Sequence, residues 1–329
     1  MTTGCDRAGA VVGPLRPAAG WRRVARLVPG RRARLTSGLR GWVIAGSLMA
    51  CSRGDAEPAV PRGVALDELE RFALIPAGTG LLPGLTGPYG VFEDLFFDRF
   101  EATRADWERV FGRPLLAGEF LVDAAQTDAS RLDWPAFCSL LEAREFARLR
   151  SMRLPTESEW RYVAGGASAQ RYPWGRARNE SFSNTLHLGI GRPLPVGCFE
   201  RGQSVFGCYD MTGNVREWVE HSERPELIDH GIALGGSYLT WLLELPDPLG
   251  RSQIHEGTRT PDLGVRCAAS AREWLEIHRD RLSEAPNAKA RLRAVGWRFG
   301  SAAIPLLSDL LEEYPRNKAL RALLEGTNR

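Results

Sequence analysis

Phe206-Gly207-Cys208-Tyr209-Asp210-Met211-Thr212-Gly213-Asn214-Val215-Arg216-Glu217-Trp218 gathers turn glycines, oxygen donors and aromatic anchors into one short run. Asp210 and Glu217 offer hard carboxylate oxygens seven residues apart. A turn at Gly213 frees the intervening backbone carbonyls to point inward, and this is the donor set that calcium prefers. The plain alternative for the two acids is a solvated capping pair.

Further signatures stand on either side. Upstream are Arg153-Leu154-Pro155-Thr156-Glu157-Ser158-Glu159-Trp160 and Tyr172-Pro173-Trp174-Gly175; downstream are Leu234-Gly235-Gly236-Ser237-Tyr238 and Leu263-Gly264-Val265-Arg266-Cys267. In that order the five motifs resemble the formylglycine-generating, or sulfatase-modifying factor, family. Phe72 to Gly78 and Phe97 to Thr103 look like that family's opening strands, so the resemblance covers roughly residues 69–268. It implies an α+β fold of the C-type-lectin-like kind, with short strands, few helices and long ordered loops. Two helices are readable from the residues themselves. Thr103 caps one that runs to Phe111, and Asp133 caps another that runs to Leu149, with Pro135 in its first turn and Phe137, Leu140, Leu141 and Phe146 turned inward. Trp160, Trp174 and Trp218 are expected in the core.

The resemblance also carries ligands. It implies a structural calcium held by the side chains of Asp210 and Glu217 and the backbone oxygens of Gly213 and Val215, with Asn214 orienting the loop. A second family calcium site would start at Asn184 and Thr185, but the acidic segment that should complete it is shortened to Leu186-His187-Leu188-Gly189-Ile190-Gly191.

Catalysis is where the resemblance breaks. The family's oxidase chemistry uses two cysteines just past the Gly-Gly-Ser-Tyr motif, which bind Cu(I) as soft thiolates. Here Tyr238 is followed by Leu239-Thr240-Trp241-Leu242-Leu243-Glu244-Leu245; Thr240 takes the first cysteine position, and no cysteine occurs before Cys267. No catalytic residue is assigned, and copper is not expected. Arg216 also stands where the family usually has tryptophan. Ser237, Arg251 and Asp262 keep the family frame around the gap and form a candidate recognition surface. His187, His221, His230, His255 and His278 show no pair at metal-ligand helical spacing; a lone histidine is most often a surface or hydrogen-bonded residue.

Outside the motifs, charge is unevenly spread. Residues 1–50 hold nine arginines and one acid, Asp6, a local charge of +8 in a chain of net charge +3, so the remainder carries −5 and offers no basic face for nucleic acid. This basic leader ends in an apolar stretch from Gly41 to Ala50 that is too short to span a bilayer and closes in small residues, the pattern of a secretory signal. Leu48-Met49-Ala50-Cys51 resembles a bacterial lipobox, making Cys51 the expected lipidation site. These features predict a lipoprotein of the bacterial cell envelope, on the periplasmic side. Residues 51–66 read as a tether.

Four cysteines then remain for an oxidising compartment: Cys138, Cys198, Cys208 and Cys267. Four cysteines allow three pairings, and four separate thiols are the alternative. The resemblance selects Cys138 with Cys267, which leaves Cys198 with Cys208.

From Ala271 to Arg329 the chain reads as amphipathic helices broken at Pro286, Gly300 and Pro315, with residues 293–307 resembling one HEAT-type pair. This segment either packs on residues 67–270 or docks a protein partner. Two functions follow. One is a catalytically degenerate binding or assembly module; the other is an oxidoreductase of the formylglycine-generating type, acting on a protein or small-molecule substrate with another metal.

Overall fold

A computed structural model describes residues 64–81, 88–115, 131–220, 229–241 and 250–327. The basic leader, Cys51 and His221 lie outside the described residues.

The fold is α+β, with three small sheets. Strands β1 (Phe72–Ile75) and β4 (Leu95–Asp98) pair antiparallel, Phe72 opposite Asp98, and β9 (Ala268–Ser270) adds to the other edge of β4. All four residues of both β1 and β4 are buried, because Phe72, Leu74 and Phe96 face a helical core while Ala73, Ile75, Leu95 and Phe97 face a second core with Tyr89, Trp160, Val163, Val219 and Ile232. Strands β2 (Gly78–Leu81) and β3 (Pro88–Val91) form a hairpin. The third sheet has the order β7-β6-β5-β8, with β5 (Arg216–Val219), β6 (His230–Leu234), β7 (Ser252–His255) and β8 (Leu263–Gly264). Its one parallel pair sets Arg216 opposite Leu263, and that register brings the central run against the last motif.

Helix α1 spans Val64–Leu69 and buries Leu66 and Leu69. The expected tether therefore ends earlier than residue 66. Helix α2 (Arg104–Phe111) begins at Thr103 as expected, through a capping box in which Thr103 and Asp106 satisfy each other's backbone N–H. Trp107 meets Phe111 at 4.5 Å and stacks on Phe146. The next helix differs from its expected start. Asp133 and Trp134 lie in a turn and bend, Pro135 bridges to Thr103, residues 136–139 are non-helical, and α3 runs from Leu140 to Leu149 with Ser139 and Glu142 as its capping box. The stretch before Ser139 is spent on cross-links: Arg104 N–H donates to Trp134 O, and Ala136 N–H to Ala102 O. Leu141 points to solvent rather than inward. Helix α4 (Glu157–Gly165) carries the capping box of Thr156 and Glu159. Trp160 and Trp218 are fully buried, and Trp174 is partly buried against Tyr172.

Helices α5 (Ala271–His278), α6 (Ala288–Phe299), α7 (Ile304–Glu313) and α8 (Lys318–Thr327) complete the chain. They share one apolar core with β1, β4 and α1–α3: Trp274 meets Phe72 and Phe96 edge-on at 5.1 and 5.7 Å. Packing on the parent domain is thus what the structure shows for this segment. The tight helix pair is α6 with α8, whereas the helices expected as a HEAT-type pair were α6 and α7. Gly296 and Gly326 make that approach, since a Cβ on either would strike the opposing backbone.

Candidate functional site

The central run is a loop held from three sides. Asp210, Gly213 and Asn214 all take the left-handed conformation, with φ of 56°, 83° and 56°, which glycine, asparagine and aspartate tolerate best. Gly213 sits against Asn184 so closely that a Cβ would lie 2.5 Å from the Asn184 carbonyl oxygen. Asn214 N–H donates to that same carbonyl, and Asn214 Oδ1 accepts from Asn184 Nδ2 and Leu194 N–H. Asn214 thus orients the loop, the role expected of it. Gly213 N–H donates to Gly235 O and Tyr238 N–H to Asn214 O, so the Gly-Gly-Ser-Tyr motif is stitched to the run.

Beneath the loop lies a buried charge cluster. Arg266 is fully buried; its Nε donates to both oxygens of Glu217, its Nη2 to Glu217 Oε1 at 2.6 Å and to Tyr209 O, and its Nη1 to Asp98 O. Trp160 Nε1 donates to Glu217 Oε2 at 2.6 Å. Glu101, also fully buried, accepts from Val215 N–H and Asn214 Nδ2, and Asp210 Oδ2 accepts from Gly197 N–H at 2.6 Å. Three carboxylates thus surround one guanidinium. Burial, then the charges of Asp210 and Glu217, hold the Glu101 carboxyl well above the usual range. Burial pushes Asp210 up to about 6.

This cluster tests the calcium expectation. The excess buried negative charge suits a divalent cation, but Glu217 already spends both oxygens on Arg266 and Trp160. Among the described residues no three His, Cys, Asp or Glu side chains converge as a metal cluster. Nearby, Asn184 Oδ1, Thr185 Oγ1 and Thr212 Oγ1 are buried without a hydrogen-bond partner. Glu101 and Arg266 were missed as site residues. Arg266 lay in a quoted motif, but its partner Glu217 is 49 residues away, beyond any local spacing rule.

Of the candidate recognition residues, Ser237 and Asp262 meet and Arg251 does not join them. Asp262 Oδ2 accepts from Arg216 Nη2 at 2.7 Å and from Ser237 Oγ at 3.3 Å. Thr240 Oγ1 accepts from Ser237 N–H at 3.0 Å, and Thr240 O accepts from Leu186 N–H. Arg251 instead pairs with Glu157 at 3.1 Å. Arg216, read from sequence only as a departure, proves to be the cation of the site. Leu239 and Trp241 stand exposed beside it, Trp241 edge-on to His187 at 4.7 Å.

All four body cysteines are thiols in this structure, where two disulfides were expected. Cys138 and Cys267 are buried in the same core, and burial holds both thiols far above their usual range. Cys208 is buried and pushed up to about 12, whereas Cys198 is exposed. Of the four, only Cys267 follows the Gly-Gly-Ser-Tyr motif, and its backbone N–H is tied to Asp98.

The sequence profile of the sulfatase-modifying factor enzyme 1-like domain matches residues 89–271. The chain belongs to that family. Among family members, the inactive C-alpha-formylglycine-generating enzyme 2 of Bos taurus is 31% identical over 214 residues, covering 55% of this chain and 66% of that protein. The formylglycine-generating enzyme of Mycobacterium tuberculosis is 32% identical over 205 residues, covering 50% and 63%. The chain therefore spans less than two thirds of the length of these relatives. The structure of PvdO from Pseudomonas aeruginosa shares the fold, with a TM-score of 0.50 at 20% identity, over 60% of this chain and 93% of that one.

Proposed function

We propose that this sulfatase-modifying-factor-type domain is catalytically degenerate and serves as a binding or assembly module, exported to the bacterial cell envelope and lipid-anchored through Cys51. One observation carries the reading. Where the family's first copper cysteine belongs, Thr240 presents a hydroxyl that already accepts from Ser237 N–H. A hydroxyl is a hard, neutral oxygen and does not replace a thiolate toward Cu(I). The Arg216–Asp262 pair beside it supplies charge and hydrogen bonding in place of redox ligands, which suits recognition of a ligand. Calcium is proposed as a structural ion of this run, as expected from Asp210, Glu217 and the backbone oxygens of Gly213 and Val215; the excess of buried carboxylates over the Arg266 guanidinium supports it, with Asp210 and the two backbone oxygens as its donors, since Glu217 is committed to Arg266 and Trp160. Exposed Trp297 and Ile277 on α6 and α5 support a protein partner at the C-terminal helices.

The test is direct. Purified protein incubated with Cu(I), oxygen, a thiol reductant and a peptide carrying the sulfatase Cys-x-Pro-x-Arg motif should yield no aldehyde by hydrazide labelling and peptide mass. Aldehyde formed with turnover would overturn the degenerate-site reading.

A further inference from the structure

His278 ends α5, outside the residues the family profile matches. From sequence it is one of five unremarkable histidines; in the fold it is 1% exposed, and neither Nδ1 nor Nε2 has a hydrogen-bond partner. The indole Nε1 of Trp274 is also buried without a partner, and the two rings lie 4.3 Å apart. Three orphaned nitrogens in one place are unusual, because buried polar atoms are nearly always hydrogen-bonded. Trp274 joins the C-terminal helices to Phe72 and Phe96 of the first sheet, beside Phe299, which lies 5.5 Å from Phe96. The imidazole therefore sits at the joint.

Among the described residues no carboxylate is paired with the imidazole: nearest in sequence, Asp280 accepts from Asn317 Nδ2 and lies near Arg279, and Glu276 pairs with Arg272. The main elements packed on α5 are β4, β9 and α7. Their charged side chains are Asp98, which pairs with Arg150; Glu313, which pairs with Arg272; and Asp309 and Glu312, which face solvent. On neighbouring α1, Asp67 and Glu70 are taken by Arg291 and Glu68 by Arg150; on α8, Glu325 is taken by Arg293. The charged group that acts on the ring is Arg281, three residues further on, and it repels a proton.

We propose that His278 is an acid-sensitive latch, which as a neutral ring seats the C-terminal helices on the first sheet and, once protonated, weakens their docking. Burial first, and then Arg281, push the docked imidazole down to about 4, against an ordinary value of 6.5. Above 6.5 the ring is neutral in both states and docking is unaffected. Between 6.5 and 4 the undocked state binds the extra proton, so docking weakens as pH falls. The two values allow up to about a 300-fold loss.

Histidine-resolved NMR titration of the full chain tests this, with the His278 signal identified as the one absent from His278→Phe or, should that variant not fold, from His278→Gln. The ring should titrate below pH 5. Across pH 6.5 to 4.5, amides of α5–α8 should lose at least tenfold in hydrogen-exchange protection relative to those of β5 and β6, and the variant should lack this selective loss. A ring that titrates near 6.5 would overturn the latch, as would a variant whose helices loosen with acid as the parent's do.

Discussion

Replacing Arg266 with Met removes the guanidinium that makes five hydrogen bonds to Glu217, Tyr209 and Asp98 in a fully buried setting. Two quantities compete. The net worth of such a pair is small, because two buried charges have given up their water. Removing one partner, however, strands the other, and that costs about 3–5 kcal/mol. Here, among the described residues, the stranded Glu217 keeps Trp160 Nε1 alone as a side-chain donor, and the nearby carboxylates of Glu101 and Asp210 add repulsion. The upper half of the range is therefore expected, against a total stability of about 5–15 kcal/mol for a domain. Urea unfolding at pH 7.5, followed by far-UV circular dichroism, should show the midpoint collapse in Arg266→Met. The double variant Arg266→Met/Glu217→Gln should recover much of the loss, because it buries no unpaired charge. A single variant that loses less than about 1 kcal/mol, or a double variant no better than the single, would refute the assignment of this pair as the keystone of the loop.

Three further outcomes are expected. Asp210→Ala should lower the melting temperature of the calcium-loaded protein and remove its sensitivity to chelators, since a ligand bound to the native state stabilises by mass action; a parent protein already indifferent to chelators would exclude the proposed ion. Cys51→Ser should move the protein from the membrane to the soluble fraction, because an acyl chain contributes about 0.8 kcal/mol per buried methylene; unchanged sedimentation of a processed variant would exclude the anchor. Gly296→Ala places a methyl against the Leu323 carbonyl and should destabilise by about 1–3 kcal/mol, with exchange protection falling first in α6 and α8.

The motifs were legible because each does local work that a short string records. Thr103 with Asp106, and Thr156 with Glu159, are capping boxes readable at a spacing of three residues, and Gly213 marks a left-handed turn. The start of α3 was misread because Asp133 looks like a cap, while the backbone of 133–139 is claimed by strand-like bonds to Ala102 and Arg104 that no local pattern reveals. The Arg216–Asp262 pair spans 46 residues and Arg266–Glu217 spans 49; a sequence shows that such charges exist and not that they meet. His278 was misjudged for the same reason, since burial at a joint between distant segments leaves no trace in its neighbours.

The ties between α1 and α6 have a consequence for how the protein is made. Arg291 grips Asp67 across 224 positions of chain, and Arg298 donates to the carbonyls of Leu69 and Phe72. During synthesis the first described helix leaves the ribosome long before the helix that seats it, so Leu66, Leu69 and Phe72 must wait uncovered until nearly the whole chain has emerged. Contacts of such sequence separation form late, and chains that depend on them are exposed to aggregation meanwhile. A nonsense codon just past residue 271 would therefore spare every family motif and still yield a polypeptide with no lid for its first sheet.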